Sequence, residues 1–306
     1  MARVTPLVKA ARSKQADNPT PAGKPARQEP GLRTQWLATE LRSLRENAGL
    51  SLADVGAYIQ RDQSTISRME KAIIPIRVPD VLAYLDLARV DDTNKREMLK
   101  QLAHEIWRNG WWDGYAGDAA AVLIDRLWVE SRTQRIKTYQ MLIPGLLQTR
   151  DHAEAVMRAV NPEVPDATIE RWLQLRMEQQ QVLDAKDSLA LHAILDEAVL
   201  HRPVGKPAVH RAQLEHLLEM SASPTMEIRI LPASTGAHAG MVGGFELMEL
   251  VEPFPAVGYV ETQVGSIFVE GEKVDRLRAA YDDLSAAAFD VRRSVAMIKS
   301  VLEDLE

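Results

Sequence analysis

The sequence predicts an α+β chain: an N-terminal all-α module, then a larger mixed α/β domain and a long C-terminal helix. Three observations carry this. Apolar residues recur at three- and four-residue spacing from Leu37 to Ile106. Beyond residue 133, short alternating strand patterns interleave with helical ones. An apolar stripe at helical spacing then runs from Val274 to Leu305. At 306 residues the chain is long enough for about two domains.

The N-terminal helices follow in order. In Trp36–Ala48, the residues Leu37, Leu41, Leu44 and Ala48 share a helical face, and Gly49 is placed to end the helix. Ser51 caps a second helix, with Asp54 as its capping-box partner and Leu52, Val55 and Ile59 as its apolar stripe. Asp62 caps a third helix, Gln63–Lys71, whose apolar residues are Ile66 and Met69. Pro79 opens a fourth, holding Val81, Leu82, Leu85 and Ala88. Asn94–Arg108 is the fifth, with Met98, Leu102 and Ile106. Five short helices with brief links suit one small domain over 34–108.

The third helix is the most informative. At about 100° per residue, Ile66 and Met69 face one side. Ser64, Ser67, Arg68 and Lys71 fall nearly opposite, with Gln63 at the edge. Short polar side chains allow close approach to a base pair, and Arg and Gln make bidentate contacts to guanine and adenine edges. The first turn offers N–H groups to phosphate. The plainer alternative is a solvated face, although such a face more often carries Glu/Lys pairs.

The stretch LRSLRENAGLSLADVGAYIQRDQSTISRMEKA resembles the phage-repressor-like (XRE, Cro/C1-type) helix-turn-helix family over roughly residues 36–90. QSTISRME is close to that family's recognition-helix text. The resemblance implies that Gln63, Ser64 and Arg68 approach base edges of double-stranded DNA. It implies that Thr65, Ser67 and Lys71 contact the backbone or flanking bases, while Glu70 fixes the helix internally. Two departures stand in the turn. Gln60 replaces the usual glycine, where a left-handed residue costs on the order of 1 kcal/mol. Arg61 replaces an apolar residue and is free to lean toward phosphate.

The domain expected over 109–306 has another character. Trp107, Trp111, Trp112 and Tyr115 cluster with Gly110, Gly114 and Gly117, either at a domain junction or around a pocket. A helix near Ala119–Ser131 precedes a strand at Ile136–Met141, a Pro-Gly turn and a helix capped by Thr149. Asp166–Leu183 and Pro207–Met220 are helical, and Ser188–Leu195, MEIRILP, GGFELMELVE, VGYVET and SIFVE supply strands. The final stripe has heptad spacing, which suits a coiled-coil dimer. Its width, and the uncharged flank of Ala280, Ala287, Ser294 and Val301, suit docking on the chain's own body better. The order IPGLLQT, LDEAVLHRPVG, AQLEHLLEM, IRILPASTGAH, GGFELMEL, YVET resembles the domain of unknown function, described as antitoxin-like, that follows the same helix-turn-helix in actinobacterial regulators. That resemblance implies a regulator, often encoded beside a small partner protein, and assigns no catalytic residue and no ligand.

Charge and composition narrow the partners. Residues 1–33 hold seven basic and two acidic residues with five prolines, and are expected to form a disordered basic arm, either touching phosphate or serving as a solubilising leader. Residues 34–110 are neutral, while 111–306 carry a net charge of −11, which repels a polyanion. With no cysteine, disulfides, thiolate catalysis and Cys-ligated metals are excluded. No long apolar run or leader pattern appears, so a cytoplasmic, nucleoid-associated chain without membrane attachment is expected. The histidines are dispersed, and no nucleotide loop, HExxH or nucleophile elbow occurs. Asp196, Glu197 and His201 are an acid–base cluster only if they do more than cap a local helix. The expectation is therefore a sequence-specific DNA-binding transcriptional regulator, not an enzyme, without cofactor or metal and with no assigned catalytic or ligand site. A homodimer on a pseudo-palindrome is expected, because one such module buries little surface. The alternative is an antitoxin-like protein that neutralises a small partner and autoregulates its operon.

Overall fold

Five helices pack first in a computed structural model that describes residues 31–107, 121–183, 189–263 and 265–305. The basic arm, apart from residues 31–33, and the aromatic–glycine cluster beyond Trp107 lie outside the described residues. Helix α1 (Leu32–Asn47) starts ahead of its apolar period because the Leu32 N–H donates to Asp125 Oδ2 at 2.7 Å, 93 residues away. It ends where Gly49 turns left-handed, at φ 67°. Helix α2 (Leu52–Ile59) has the capping box read from Ser51 and Asp54. The helices α3 (Gln63–Glu70), α4 (Val78–Leu87) and α5 (Thr93–Glu105) follow, the first and last capped by Asp62 and Asp92. Trp36, Leu41, Ile66, Leu85 and Leu99 fill the space between them.

Helix α6 (Ala121–Glu130) leads into a six-stranded mixed sheet of order β3-β2-β1-β4-β5-β6. The strands are β1 (Thr133–Gln140), β2 (Ala190–Asp196), β3 (Met226–Leu231), β4 (Phe245–Leu250), β5 (Val257–Thr262) and β6 (Gly265–Val269). Strands β1, β2 and β3 are parallel. Parallel neighbours need long crossovers. Helices α7 (Arg150–Val160) and α8 (Asp166–Gln180) supply the first, and α9 (Ala198–His201) and α10 (Pro207–Met220) the second. Strand β4 returns antiparallel on the other side of β1, with Ile136 opposite Met248, and β5 and β6 continue the meander.

The sheet is apolar on both faces. Ile136, Leu191, Ile228, Met248 and Val257 join the same core as the N-terminal helices. Tyr139, Ile194, Leu231 and Phe245 form a second core. Arg126 of α6 is clamped between Glu130 (2.9 Å) and Glu246 (3.0 Å), tying that helix to β4. Burial of such a group is tolerated because both carboxylates compensate its charge.

The α+β class holds, but the single C-terminal helix read from the stripe is two helices, α11 (Glu272–Ala287) and α12 (Val291–Asp304). The 3-4 spacing runs through the break, so periodicity alone does not show it. Ala288 leaves the helix at ψ 152°, and Asp290 caps α12 by accepting the Arg293 N–H at 2.8 Å. Tertiary bonds hold the break open. Arg229 donates to the carbonyls of Ser285 (2.7 Å), Ala288 (3.0 Å) and Phe289 (2.8 Å). The stripe is thereby divided: Tyr281 and Leu284 cover one face of the sheet, and Ile298 and Leu302 the other. These apolar residues are spent within the chain, as docking requires.

Glu105, at the end of α5, joins the helices to the sheet. Its carboxylate accepts from Arg132 Nη2 at 2.6 Å and from the Trp128 indole at 3.2 Å, and its carbonyl accepts from Arg33 Nη1 at 2.6 Å. Beside it, the Phe254 ring lies 6.0 Å from Trp36 and 5.8 Å from Trp128.

Candidate nucleic-acid interface

Helix α3 presents the face that its spacing predicts. Ile66 is fully buried and Met69 nearly so, and the helix packs on α1 and α2. Gln63, Ser64, Arg68 and Lys71 are exposed, and Thr65 and Ser67 are half-buried at the flanks. The acidic body leaves Ser64 and Arg68 open to solvent.

The turn that aims α3 is built from two unusual positions. Gln60 takes the left-handed conformation, φ 55° and ψ 46°, that a glycine would adopt more cheaply. Gly56 supplies room instead: a Cβ there would stand 2.6 Å from the Arg61 carbonyl oxygen. The Arg61 N–H closes the turn on the Gly56 carbonyl at 2.8 Å. The Arg61 side chain is exposed, with its Nη2 3.4 Å from Asp80 Oδ2, so it leans toward α4 while keeping most of its donors available.

Asp62 organises the first turn of α3. It accepts from the Thr65 N–H (2.8 Å), the Thr65 hydroxyl (2.7 Å) and the Ser64 hydroxyl (2.5 Å). The Ser64 hydroxyl, then the Thr65 hydroxyl and N–H, hold its carboxyl far below the usual carboxylate range. Both hydroxyls therefore point their protons at Asp62 and offer outward only their lone pairs. Arg68 lies back along the helix, with Nη2 3.1 Å from Thr65 Oγ1. It is exposed and carries further donors, so a base edge competes with two weak internal bonds, this one and that from Nε to the Ser64 carbonyl at 3.4 Å. Sequence reasoning assigned Asp62 only a capping role. Its hold on Ser64 and Thr65 follows from the residues at cap plus two and plus three, so the signal was present. The Arg61–Asp80 pair spans nineteen residues and had no local signal.

Glu70 turns inward. Arg45 Nε and Nη2 donate to its two oxygens at 2.7 and 2.8 Å, and the Tyr84 hydroxyl donates to Oε1. The hydrogen bond to Glu70 holds the Arg45 guanidinium above its ordinary range, and burial raises the Tyr84 hydroxyl. This buried set ties α1, α3 and α4 together.

The other candidates serve turns. Asp196 accepts from the Tyr139 hydroxyl (3.1 Å) and the Ala198 N–H (2.9 Å), and Glu197 accepts from the Ala233 N–H (2.7 Å). His201 stands 3.7 Å from Glu197 at the surface. Trp107 donates its indole N–H to the Ile76 carbonyl. Among the described residues, no group of three His, Asp or Glu is placed to hold a metal ion, and no helix is long and apolar enough to cross a membrane.

Comparison with known families places a Helix-turn-helix domain at residues 36–98, which spans α1 to α4 and the start of α5. A Domain of unknown function (DUF5753) matches residues 123–300, from α6 into α12. No curated protein and no solved structure matches the chain.

Proposed function

The chain belongs to the DUF5753 family, with a helix-turn-helix domain ahead of the family domain, and from that premise we propose that it is a sequence-specific DNA-binding transcriptional regulator of the Cro/C1 type. One observation carries the reading: the exposed face of α3, with Gln63, Ser64, Arg68 and Lys71 outward on a helix pinned by Ile66 and Met69. That is the geometry of a helix seated in a major groove. Gln63, Ser64 and Arg68 read bases. Thr65, Ser67, Lys71 and Arg61 hold phosphates or flanking bases. The division of labour is between residues 34–108, which bind DNA, and 109–306, which sense a small molecule or protein. Two copies bind a pseudo-palindrome, since a single module buries too little surface for tight binding. Such a protein works where the chromosome lies.

Selection of bound sequences from random DNA with the full chain tests this. A shared half-site repeated at about 10 base pairs, centre to centre, is the expected outcome. Recovery of no common sequence overturns it.

An antitoxin-like partner binder is the second reading. It is favoured by Val242, 97% exposed, and Met241, 66% exposed, on the loop ahead of β4. Stoichiometric co-purification of a small protein, lost in Met241→Ser/Val242→Ser, supports that reading.

A further inference from the structure

A cleft of about 460 Å³ opens between the helical module and the sheet domain. Gln101, His104 and Glu105 of α5 line one side, and Arg132, Val251 and Phe254 line the other. The volume falls within the range of small-molecule sites. We propose that this cleft binds a small amphipathic anion, an aromatic carboxylate in class, and that its occupancy changes how the helical module is held.

The chemistry of the walls selects the ligand. Arg132 gives one nitrogen, Nη2, to Glu105 at 2.6 Å. Its Nε is shut from solvent and has no acceptor among the described residues. The guanidinium is 32% exposed, so a carboxylate in the cleft meets its open side, where the planar fork suits its two oxygens. Glu105 leaves no net negative charge to repel it, being matched by Arg132 and bound by the Trp128 indole. Val251, 43% exposed, and the Phe254 ring form the apolar wall for the ligand's body. Gln101 and the exposed His104 offer further hydrogen-bonding groups at the mouth.

The position selects the consequence. Glu105 bridges the modules through Arg132 and Trp128, while Arg33 ties it to α1. An anion on the open side of Arg132 draws on the same guanidinium as Glu105 without displacing it and so weakens that bridge, which gives it different affinities for the held and released arrangements of α5. Such a difference is what couples two sites. The effect on DNA rests on the regulator reading above; the binding itself does not.

The test uses the full chain and three probes: 8-anilinonaphthalene-1-sulfonate as a fluorescent reporter, 1-naphthoate as competitor, and 1-naphthylmethylamine as a cation of like shape. Saturable reporter binding is expected, displaced by 1-naphthoate at concentrations at least tenfold lower than by the amine. Val251→Trp, which fills the cleft, should weaken reporter and naphthoate tenfold or more while the circular dichroism spectrum stays unchanged. Arg132→Gln should weaken naphthoate at least fivefold and narrow the preference over the amine. Equal binding by wild type and Val251→Trp, no saturable binding, or equal displacement by acid and amine overturns the site. On selected DNA, saturating naphthoate should shift affinity threefold or more in wild type and leave Val251→Trp unchanged. Cleft-dependent naphthoate binding with no shift overturns the coupling. Cleft-dependent binding in a chain that selects no DNA sequence sinks the regulator reading and leaves the cleft standing. Sequence-specific DNA binding without cleft-dependent naphthoate binding does the reverse.

Discussion

Arg45 grips both carboxylate oxygens of Glu70, Nε to Oε1 at 2.7 Å and Nη2 to Oε2 at 2.8 Å. This fork holds α3 against α1 from behind, on the side away from its polar face. Removing Glu70 leaves Arg45 only Glu46 (3.3 Å) and the Leu50 carbonyl (3.1 Å), and leaves the buried Tyr84 hydroxyl without its acceptor. Glu70→Ala should therefore cost about 1–3 kcal/mol, read by chemical denaturation. A loss below 1 kcal/mol would mean that the helix is held by Ile66 and Met69 alone.

Arg68 and Lys71 both face solvent, but they should fail differently. Arg68→Ala should cost about 1–3 kcal/mol on a selected sequence and relax base preference at one position. Lys71→Ala should weaken all sequences about equally and lower the salt dependence of binding by roughly one phosphate contact. Titrations on selected and random duplexes at several salt concentrations separate the two. Equal loss for Arg68→Ala on both duplexes would remove it from the bases.

The turn between α2 and α3 carries strain at one residue and has no room at another. Gln60, at φ 55°, should be improved by glycine: Gln60→Gly is expected to stabilise the fold by about 0.5–1 kcal/mol. Gly56→Ala should do the opposite, because its Cβ would meet the Arg61 carbonyl oxygen at 2.6 Å, backbone that cannot swing aside. A cost of about 1–3 kcal/mol is expected, with weakened DNA binding as the turn opens. Thermal unfolding of the pair, side by side, checks both signs.

His152 is buried in α7, and neither ring nitrogen has a hydrogen-bond partner among the described residues. Burial, with the neighbouring His210 adding to it, pushes its pKa down to about 4 from 6.5. The unfolded chain takes up a proton near pH 6.5 that the folded chain refuses until about 4. Over that window the unfolded state binds more protons, so stability should fall as pH falls, by about 3 kcal/mol in full. Above pH 7 the group has no effect. His152→Leu should flatten this part of the stability profile, and an unchanged slope between pH 6.5 and 4 would show that His152 is not buried neutral.

The candidate interface is largely legible in the sequence. Asp62, Ile66 and Met69 fix the start and inward side of α3, and local rules suffice for each. Ser51 with Asp54 announced α2 in the same way. What could not be read depends on distant partners. Helix α1 begins at Leu32 because Asp125 is there to accept, and Arg61 tilts because Asp80 faces it. The break at Ala288–Asp290 is hidden by an apolar spacing that continues across it, and it exists because Arg229 collects the carbonyls that the helix gives up. Alternating residues reveal strands, but the placing of β4 beside β1 is set by which apolar faces must be covered together.

The outer edge of β3 is closed by chain made much later. The Ile230 N–H donates to the Ser294 hydroxyl, 64 residues on, and the Ile230 carbonyl accepts the Phe289 N–H. During synthesis, the sheet must therefore wait on the ribosome with a raw strand edge until that clasp emerges. Nascent chains stalled between 231 and 289 are the ones in which neighbouring copies would be expected to pair strand to strand.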